Sequence, residues 1–370
     1  GSYLSTSHCW TSQQCHPPLF ASGFGFSRID RMAWLSYRNC YRQVPSWLRP
    51  GRTLPNLAGS IVGLLVWSFA GVCAAEPSQA PKSTSSSNPV DGRRAYGYLK
   101  AICALGPRPS GSRGMRDQRS LVVKHFEKVG GEVDLQRFRA PDPRGGPAVA
   151  MANVICQWHP RRAKRIVLCA HYDTRPLPDR DPNPIRRRRG VFLGANDGAS
   201  GVALLMELAH HMPHLDSRYG VDFVLFDGEE FVYDESDPYF LGSQWFARRY
   251  VRDPPSHRYR WGLLFDMVAD ADLQLFQERH SMEWPDTRPL VLDIWATAQR
   301  LGIREFIGRR KYSVRDDHLQ LRNIAKIPTC DIIDFDYDYW HTEGDAPNKC
   351  SATSLAKVGR VVLEWLRTVR

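Results

Sequence analysis

Apolar runs alternate with amphipathic stretches along most of the chain. Runs with the apolar or alternating pattern of strands cover residues 132–138, 148–158, 165–170, 221–226, 261–268 and 327–333. Apolar residues at helical spacing predict helices over 93–104, 116–129, 202–212, 240–250, 290–301 and 354–366, with a further short helix opening at Asp316. Because helices and strands alternate, the pattern predicts an α/β domain built around a central sheet.

The chain before residue 93 has a different character. Residues 57–72 are apolar and uncharged, Arg49 and Arg52 precede them, and small residues follow at 73–75. This three-part pattern predicts a signal peptide within an N-terminal leader, 1–75, and therefore a secreted or periplasmic protein that meets the membrane only transiently. An uncleaved N-terminal membrane anchor is the alternative, although the apolar run is short for a membrane span. Residues 76–92 are predicted to form a flexible linker, and residues 93–370 the folded domain.

Composition and charge indicate a globular protein and do not favour nucleic-acid binding. The 370 residues are 42% hydrophobic and 24% charged, as in ordinary globular proteins. Six arginines and one aspartate give residues 1–75 a charge of +5, so +6 of the total of +11 belongs to the rest. Much of that remainder is the run Arg186 to Arg189, in a Pro- and Arg-rich segment, 175–190, that we expect to be a surface loop. No nucleic-acid motif accompanies the run, so we expect no nucleic-acid partner.

The cysteines do not suggest a thiolate metal site. Five of the nine lie after residue 75, and none of those five forms a Cys-x-x-Cys pair. Their pairing is left open by the sequence.

Residues that could bind a metal ion follow the ends of predicted strands. His171 and Asp173 follow the strand 165–170, and a carboxylate at this spacing can orient a metal-binding imidazole. Asp197 lies in the glycine-rich loop 194–201 before a helix. A helix-capping role is one interpretation of Asp197, and a metal ligand aimed at the sheet is the other.

Acidic residues follow or lie within two further strands. The strand 221–226 is followed by Asp227-Gly228-Glu229-Glu230, where one glutamate could bind a metal while its neighbour moves protons. A solvated acidic turn is the alternative. Asp266 lies inside the apolar strand 261–268, where a carboxylate costs several kcal/mol unless it is paired or bound to metal.

Five residues are possible metal ligands, in chain order His171, Asp197, Glu230, Asp266 and His341. In open α/β sheets, ligands bind beyond the carboxyl ends of the strands. Nitrogen and carboxylate donors without thiolates suit zinc, with manganese and cobalt as alternatives.

The motifs of this domain, taken together, resemble those of a known family. The motifs HYD, GANDGASG, DGEE, DDH and WHT, in this order and with the earlier loop GPRPSGS, are similar to those of the zinc-dependent aminopeptidase and glutaminyl cyclase superfamily. The resemblance covers about residues 93–370. It implies a single zinc-dependent catalytic domain whose mixed, mostly parallel sheet lies between helices.

The resemblance also implies roles for individual residues. Asp197, Glu230 and His341 match the zinc ligands of both branches, and Glu229 matches the general acid/base. In the cyclases one zinc is held, and Asp266 and Asp316 belong to a carboxylate network near the substrate. In the aminopeptidases His171 and Asp266 bind a second zinc, which Asp197 bridges to the first.

Features of both branches are present. Trp340, directly before His341, matches a tryptophan that lines the cyclase substrate pocket, and the DDH motif stands at the cyclase-like spacing. Against this, the loop containing Asp197 is glycine-rich in the aminopeptidase manner. The stretch 231–239 also has no tryptophan where cyclases carry one, so Phe231 or Tyr233 would have to replace it.

We therefore expect a zinc-dependent glutaminyl-peptide cyclotransferase, which converts an N-terminal glutamine of peptides or proteins to pyroglutamate and releases ammonia. The alternative is a two-zinc aminopeptidase. A non-catalytic binding domain with the same fold would predict the loss of a ligand or of Glu229, and neither is missing.

Overall fold

The computed structural model describes residues 88–370. Its helices are α1 (Gly92–Cys103), α2 (Arg113–Lys128), α3 (Pro184–Arg189), α4 (Ser200–Ala209), α5 (Leu241–Arg252), α6 (Arg279–Glu283), α7 (Arg288–Arg300), α8 (Asp317–Asn323) and α9 (Ala352–Thr368), with a 3₁₀ turn at Pro347–Lys349. Its strands are β1 (Glu132–Ala140), β2 (Val149–Trp158), β3 (Lys164–His171), β4 (Gly220–Phe226), β5 (Arg258–Asp266), β6 (Leu275–Gln277), β7 (Phe306–Arg310) and β8 (Thr329–Ile333).

Six strands form the central sheet, in the order β1-β2-β4-β3-β5-β8. The pairs β1/β2 and β2/β4 are antiparallel, whereas β4/β3, β3/β5 and β5/β8 are parallel. The predicted mixed, mostly parallel sheet is therefore confirmed. Strands β6 and β7 pair in a separate small parallel sheet.

Both faces of the sheet are covered. Along β3, Ile166 and Leu168 point into the larger core cluster, which includes residues of α1, α4 and α9. The alternate residues Val167 and Cys169 point into a smaller cluster with residues of α5 and α8. Because successive side chains of a strand face opposite sides, a strand covered on both sides needs a continuous apolar run. This explains why β3 and β4 are recognisable in the sequence.

The parallel strands end at one edge of the sheet, where the candidate site residues lie. Adjacent strands β4, β3 and β5 end at Phe226, His171 and Asp266. The predicted strand ran on to residue 268 with Asp266 inside it, and this boundary is wrong. Met267 has φ of +47°, outside the extended region, so the strand ends at Asp266.

Other differences from the sequence patterns have local causes. The segment 175–190 is not simply a surface loop, because Arg175 and Asp181 are buried and α3 forms within it. Asn183 caps α3 by accepting the backbone N–H of Ile185 at 2.8 Å, and Pro184 suits its first position. Helix α6 and strands β6 and β7 were not predicted, since elements of three to five residues carry almost no periodic signal.

The five cysteines after residue 75 are all free and buried. The predicted signal segment, 57–72, and residues 76–87 of the predicted linker lie outside the described residues, so both stay predictions. Among residues 88–370, no helix combines the length and apolar character needed to cross a membrane.

A fully buried ion pair joins β3 to β4 near their amino ends. The guanidinium of Arg165 donates to the carboxylate of Asp222, with Nε to Oδ1 at 2.9 Å, and neither side chain is exposed. Arg165 also donates to the carbonyl oxygens of Trp158 and Val221, at 2.9 and 3.1 Å, and the hydroxyl of Tyr259 donates to Asp222. Because hydrogen bonds replace the lost hydration of both charges, this pair is compatible with burial.

We expect Asp222→Asn to lower the free energy of unfolding by about 3 kcal/mol, because it leaves the Arg165 charge buried without its partner. Urea unfolding of the full chain measures this loss. The matched control is Asp117→Asn, which breaks the exposed pair Arg113–Asp117 (3.4 Å) and should cost less than about 1 kcal/mol. Equal losses in the two variants would contradict the expectation.

Candidate metal centre and active site

The turn after β4 carries two adjacent glutamates. Gly228 has φ of +74°, a left-handed conformation that glycine adopts without strain. The carboxylate of Asp173 accepts the backbone N–H groups of Glu229 and Glu230, at 3.0 and 3.2 Å. Because Asp173 lies two residues beyond β3, these bonds tie the ends of two neighbouring strands together and hold the turn.

The two glutamate side chains diverge from this turn. Oε2 of Glu229 lies 3.8 Å from Nδ1 of His171, whereas Oε2 of Glu230 lies 3.3 Å from Nε2 of His341. The other oxygen of Glu230 accepts the backbone N–H of Arg175 at 2.7 Å. Adjacent carboxylates are thus available for different tasks.

Asp197 lies between the two histidines. Its Oδ1 is 3.2 Å from Nε2 of His171, and its Oδ2 is 3.4 Å from Nε2 of His341. Oδ1 of Asp266 lies 3.3 Å from Nε2 of His171. All five candidate ligands therefore meet in one cluster, and donor atoms of His171, Asp197 and Glu230 lie within 4.8 Å of one another.

The loop before α4 is held by its backbone and aims Asp197 at the cluster. The cap residue of α4 is Ala199, without a side-chain hydrogen bond, so the capping interpretation of Asp197 is wrong. Instead, the buried carboxylate of Asp345 accepts the backbone N–H groups of Asn196 and Asp197, at 2.8 and 3.1 Å. The carboxylate of Asp197 is left for the cluster.

Arg108, in the GPRPSGS loop, supports the same loop from behind. Its buried guanidinium donates to the carbonyl oxygens of Leu193 and Gly194, at 2.8 and 3.0 Å. Its backbone N–H donates to the hydroxyl of Thr174 at 2.9 Å, so it also contacts the chain beyond His171. Arg108 thereby connects the segments that carry two of the candidate ligands.

His341 sits in a constrained segment. Its φ is +56°, which is uncommon for a residue other than glycine and often marks a functional site. Oδ1 of Asp179 lies 3.3 Å from its Nδ1, and Asp179 is itself held by Arg175 at 2.8 Å. A carboxylate beside one ring nitrogen orients the ring and leaves the other, here directed at Asp197 and Glu230, for a metal.

Asp316 lies in a buried group of acids near Asp266. Its Oδ1 accepts the backbone N–H of Asp317 at 2.6 Å, which caps α8. Its Oδ2 is buried and has no hydrogen-bond partner among residues 88–370. Burial and the nearby charge of Asp266 raise the pKa of Asp316 well above its ordinary value.

Trp340 is half-buried beside the cluster. Its ring centroid is 4.2 Å from that of His341, and the guanidinium of Arg180 lies 4.2 Å from its ring centre. Phe231 and Tyr233, the possible replacements for a second pocket tryptophan, point elsewhere. Phe231 is buried in a separate apolar cluster, and Tyr233 is exposed with the guanidinium of Arg144 at 4.8 Å.

Crowded carboxylates dominate the electrostatics. Burial, and then the neighbouring charge of Asp197, raise the pKa of Glu230 to about 7. Burial also raises the pKa of Glu229 well above its usual range, and the charges of Glu230 and Asp316 add to the effect of burial while His171 opposes it. Groups in this state exchange protons readily, and they also gain from a nearby cation.

The donor set fits a divalent metal such as zinc. It consists of imidazole nitrogens and carboxylate oxygens, which zinc binds, and Oδ2 of Asp197, which faces His341, is buried without a hydrogen-bond partner among residues 88–370. The geometry accommodates the predicted trio Asp197, Glu230 and His341. It also keeps His171 and Asp266 beside Asp197, so the donors alone do not decide between one metal and two.

Several supporting residues were not anticipated from the sequence. Asp345 and Asp179 act through contacts with residues far away along the chain, such as Asn196 and His341, and nothing local distinguishes them from surface acids. The position of Asp345 four residues after His341 was the one available signal. For Arg108, the signal was an arginine within a Gly- and Pro-rich loop.

Comparison with known proteins gives this arrangement a family context. The curated glutaminyl-peptide cyclotransferase of Drosophila melanogaster is 25% identical over 265 residues, which are 65% of this chain and 71% of that protein. Among solved structures, Fimbriiglobus ruber glutaminyl cyclase is 39% identical with a TM-score of 0.73, over 76% of this chain and 96% of that one. A leucine aminopeptidase precursor from Bacteroides thetaiotaomicron is 29% identical with a TM-score of 0.71, over 76% and 98%.

A protein-family model also matches the chain directly. The model of peptidase family M28 matches residues 153–366, more than half of the chain. This range contains every candidate ligand, both glutamates of the turn, Asp316 and Trp340. The chain therefore belongs to peptidase family M28.

Proposed function

We propose that this protein is a glutaminyl-peptide cyclotransferase, which closes the N-terminal glutamine of a peptide into pyroglutamate and releases ammonia. The observation that carries the proposal is the 39% identity to a glutaminyl cyclase over nearly all of that protein's length. The environment of Glu229 supports it, because burial raises the pKa of this carboxylate well above its ordinary value and its Oε2 lies 3.8 Å from Nδ1 of the candidate ligand His171.

Cyclisation requires one proton to change place. The α-amine of the substrate attacks the carbon of its own γ-carboxamide, a new C–N bond closes the ring, and the original amide C–N bond breaks. Glu229 accepts the proton that the attacking amine loses and returns it to the departing nitrogen, which leaves as ammonia. A carboxylate whose pKa is raised by burial is a stronger base than an exposed one, which favours acceptance of the amine proton.

Other residues hold the substrate and the metal. Asp197, Glu230 and His341 would bind one zinc, which when bound supplies Lewis-acid polarisation of the γ-carbonyl group. The buried acids Asp266 and Asp316 both have pKa values raised by burial, and in this proposal they form hydrogen bonds to the reacting amide. Trp340 packs on the glutamine side chain.

A two-zinc aminopeptidase is the second candidate function. It is favoured by one specific observation, the placement of His171 and Asp266 within 3.3 Å of each other on the far side of Asp197 from His341. In that reaction Glu229 would take a proton from water, and the products would be a free amino acid and a shortened peptide.

We further propose that the protein is secreted or exported to the periplasm. The support is the apolar segment 57–72 between arginines and small residues. Retention as an N-terminal anchor is the alternative, and an N-terminal sequence of the protein recovered from cells and medium would separate the two.

We expect the purified protein to release one ammonia for each glutamine-initiated peptide consumed, with a product lighter by the mass of ammonia. Mass spectrometry and an ammonia assay measure this, with leucine amide as the parallel substrate and zinc counted per chain. Release of leucine, together with two zincs per chain and no pyroglutamyl product, would overturn the proposal in favour of the aminopeptidase.

We expect Glu229→Gln to lower kcat by a factor of about 10² to 10⁴, because the amide cannot carry the proton. Its zinc content should stay at the wild-type value. The matched variant Glu230→Gln changes the neighbouring carboxylate in the same way and should lose zinc, since it removes a candidate ligand. Metal analysis after dialysis distinguishes the two, and the reverse pattern would mean that the roles of the two glutamates are exchanged.

A further inference from the structure

The arginine-rich segment 175–191, here called the arginine strap, lies against the ligand His341. The backbone N–H of Arg180 donates to the carbonyl oxygen of His341 at 3.1 Å. Near the end of the strap, the backbone N–H of Val191 donates to Glu343 at 2.7 Å, and the N–H of Glu343 donates to Asp181 at 3.1 Å. The strap is therefore fastened to the rim of the active site at several points along its length.

Helix α3 of the strap presents uncompensated charge at this rim. Arg186 pairs with Glu343 at 3.1 Å, so the helix is anchored two residues beyond His341. Arg187, Arg188 and Arg189 are exposed and form no ion pair with any residue in 88–370. Three adjacent positive charges repel one another, and an anionic partner would relieve that repulsion.

A second segment, in contact with the strap, has the opposite charge. The segment 231–239, which follows Glu230, carries exposed Asp234 and Glu235. It meets the strap where the guanidinium of Arg175 donates to the hydroxyl of Tyr239 at 3.1 Å. Acidic side chains of a bound peptide would be attracted to the arginines of the strap and repelled by Asp234 and Glu235.

The distance from His341 to helix α3 of the strap corresponds to a short stretch of peptide. His341 and Glu343 are two residues apart, so their Cα atoms are separated by at most about 7.6 Å, and the paired side chains of Glu343 and Arg186 extend further outward. An extended peptide advances about 3.3 to 3.6 Å per residue. A substrate whose first residue contacts Trp340 would bring roughly its fourth to sixth residues to α3.

We propose that Arg187, Arg188 and Arg189 bind acidic side chains a few residues after the N-terminal glutamine, so that the enzyme prefers acidic peptides. This inference rests on the proposed cyclase function and adds its substrate class. Guanidinium groups suit the role because they bind carboxylates through paired hydrogen bonds and are never deprotonated at physiological pH. The contact is remote from the reacting bonds, so it affects binding and leaves the chemical step unchanged.

The test compares three peptides that differ only in residues four to six: Gln-Ala-Ala followed by three glutamates, three alanines or three lysines. With the full chain in low salt, we expect kcat/KM to fall in that order, by about tenfold from the glutamate to the alanine peptide. In Arg187→Gln/Arg188→Gln/Arg189→Gln the preference should disappear through KM, with kcat within twofold of wild type. Half-molar salt should also reduce it, because screening weakens exposed charge pairs.

The matched control removes three positive charges at the other end of the sheet. Arg161, Lys164 and Arg258 are exposed and lie at the amino ends of β3 and β5, so changing all three to glutamine should leave the preference intact. Equal behaviour of the two triple variants, or no dependence of wild-type kcat/KM on peptide charge, would overturn the inference. Retention of the wild-type chain by anionic vesicles through α3, without peptide preference, would also overturn it and assign the patch to a membrane surface. If wild type releases no ammonia from the alanine peptide, the cyclase proposal itself fails.

Discussion

An ionised carboxylate that leaves water costs several kcal/mol unless hydrogen bonds or opposite charges replace its hydration, and this domain gathers many such groups at one edge of its sheet. Some are satisfied by the backbone. Asp173 and Asp345 each accept two N–H groups, and Asp227 accepts the hydroxyl of Ser110 and the N–H of Ala152. These bonds determine the course of the two loops that present Glu229, Glu230 and Asp197, so the buried acids act as structural elements.

For the remaining acids, hydrogen bonds and opposite charges replace only part of the lost hydration. Glu229, Glu230 and Asp266 all have raised pKa values because burial and neighbouring acids disfavour their charge. Two histidines and the guanidinium of Arg175, which lies 3.7 Å from Glu230, are groups in contact with this set that can carry positive charge. A divalent cation would supply the missing charge for the oxygens that point at it. In the proposed assignment Glu230 would bind that cation, and Glu229 would remain free to carry protons. Metal binding and proton transfer therefore arise from the same crowding.

Some parts of this site can be predicted from the sequence and others cannot, for physical reasons. The strands β3 and β4 are apolar because both of their faces are buried, so their ends, and with them His171 and Glu230, could be located without a structure. The family motifs then extended the prediction to His341 and Asp316. The position of the strap against the site could not be predicted from the sequence. Helix α3 has a local cap at Asn183, but it is held to the site by the pair between Arg186 and Glu343. These two paired residues are 157 positions apart in the sequence.

The proposed cyclisation and the alternative hydrolysis would both use Glu229 as the proton carrier, and they differ in the nucleophile. A water molecule needs only a place beside the metal, whereas the substrate's own amine must be folded back over its side-chain amide. That geometry requires a wall close to the ligands, and Trp340 provides one, with its ring 4.2 Å from that of His341. Arg180 of the strap stacks on Trp340 and donates to the His341 carbonyl. The strap thus contacts both Trp340 and the candidate ligand His341, so under our proposal the choice of nucleophile would depend on the loops around Trp340 more than on the shared donor set.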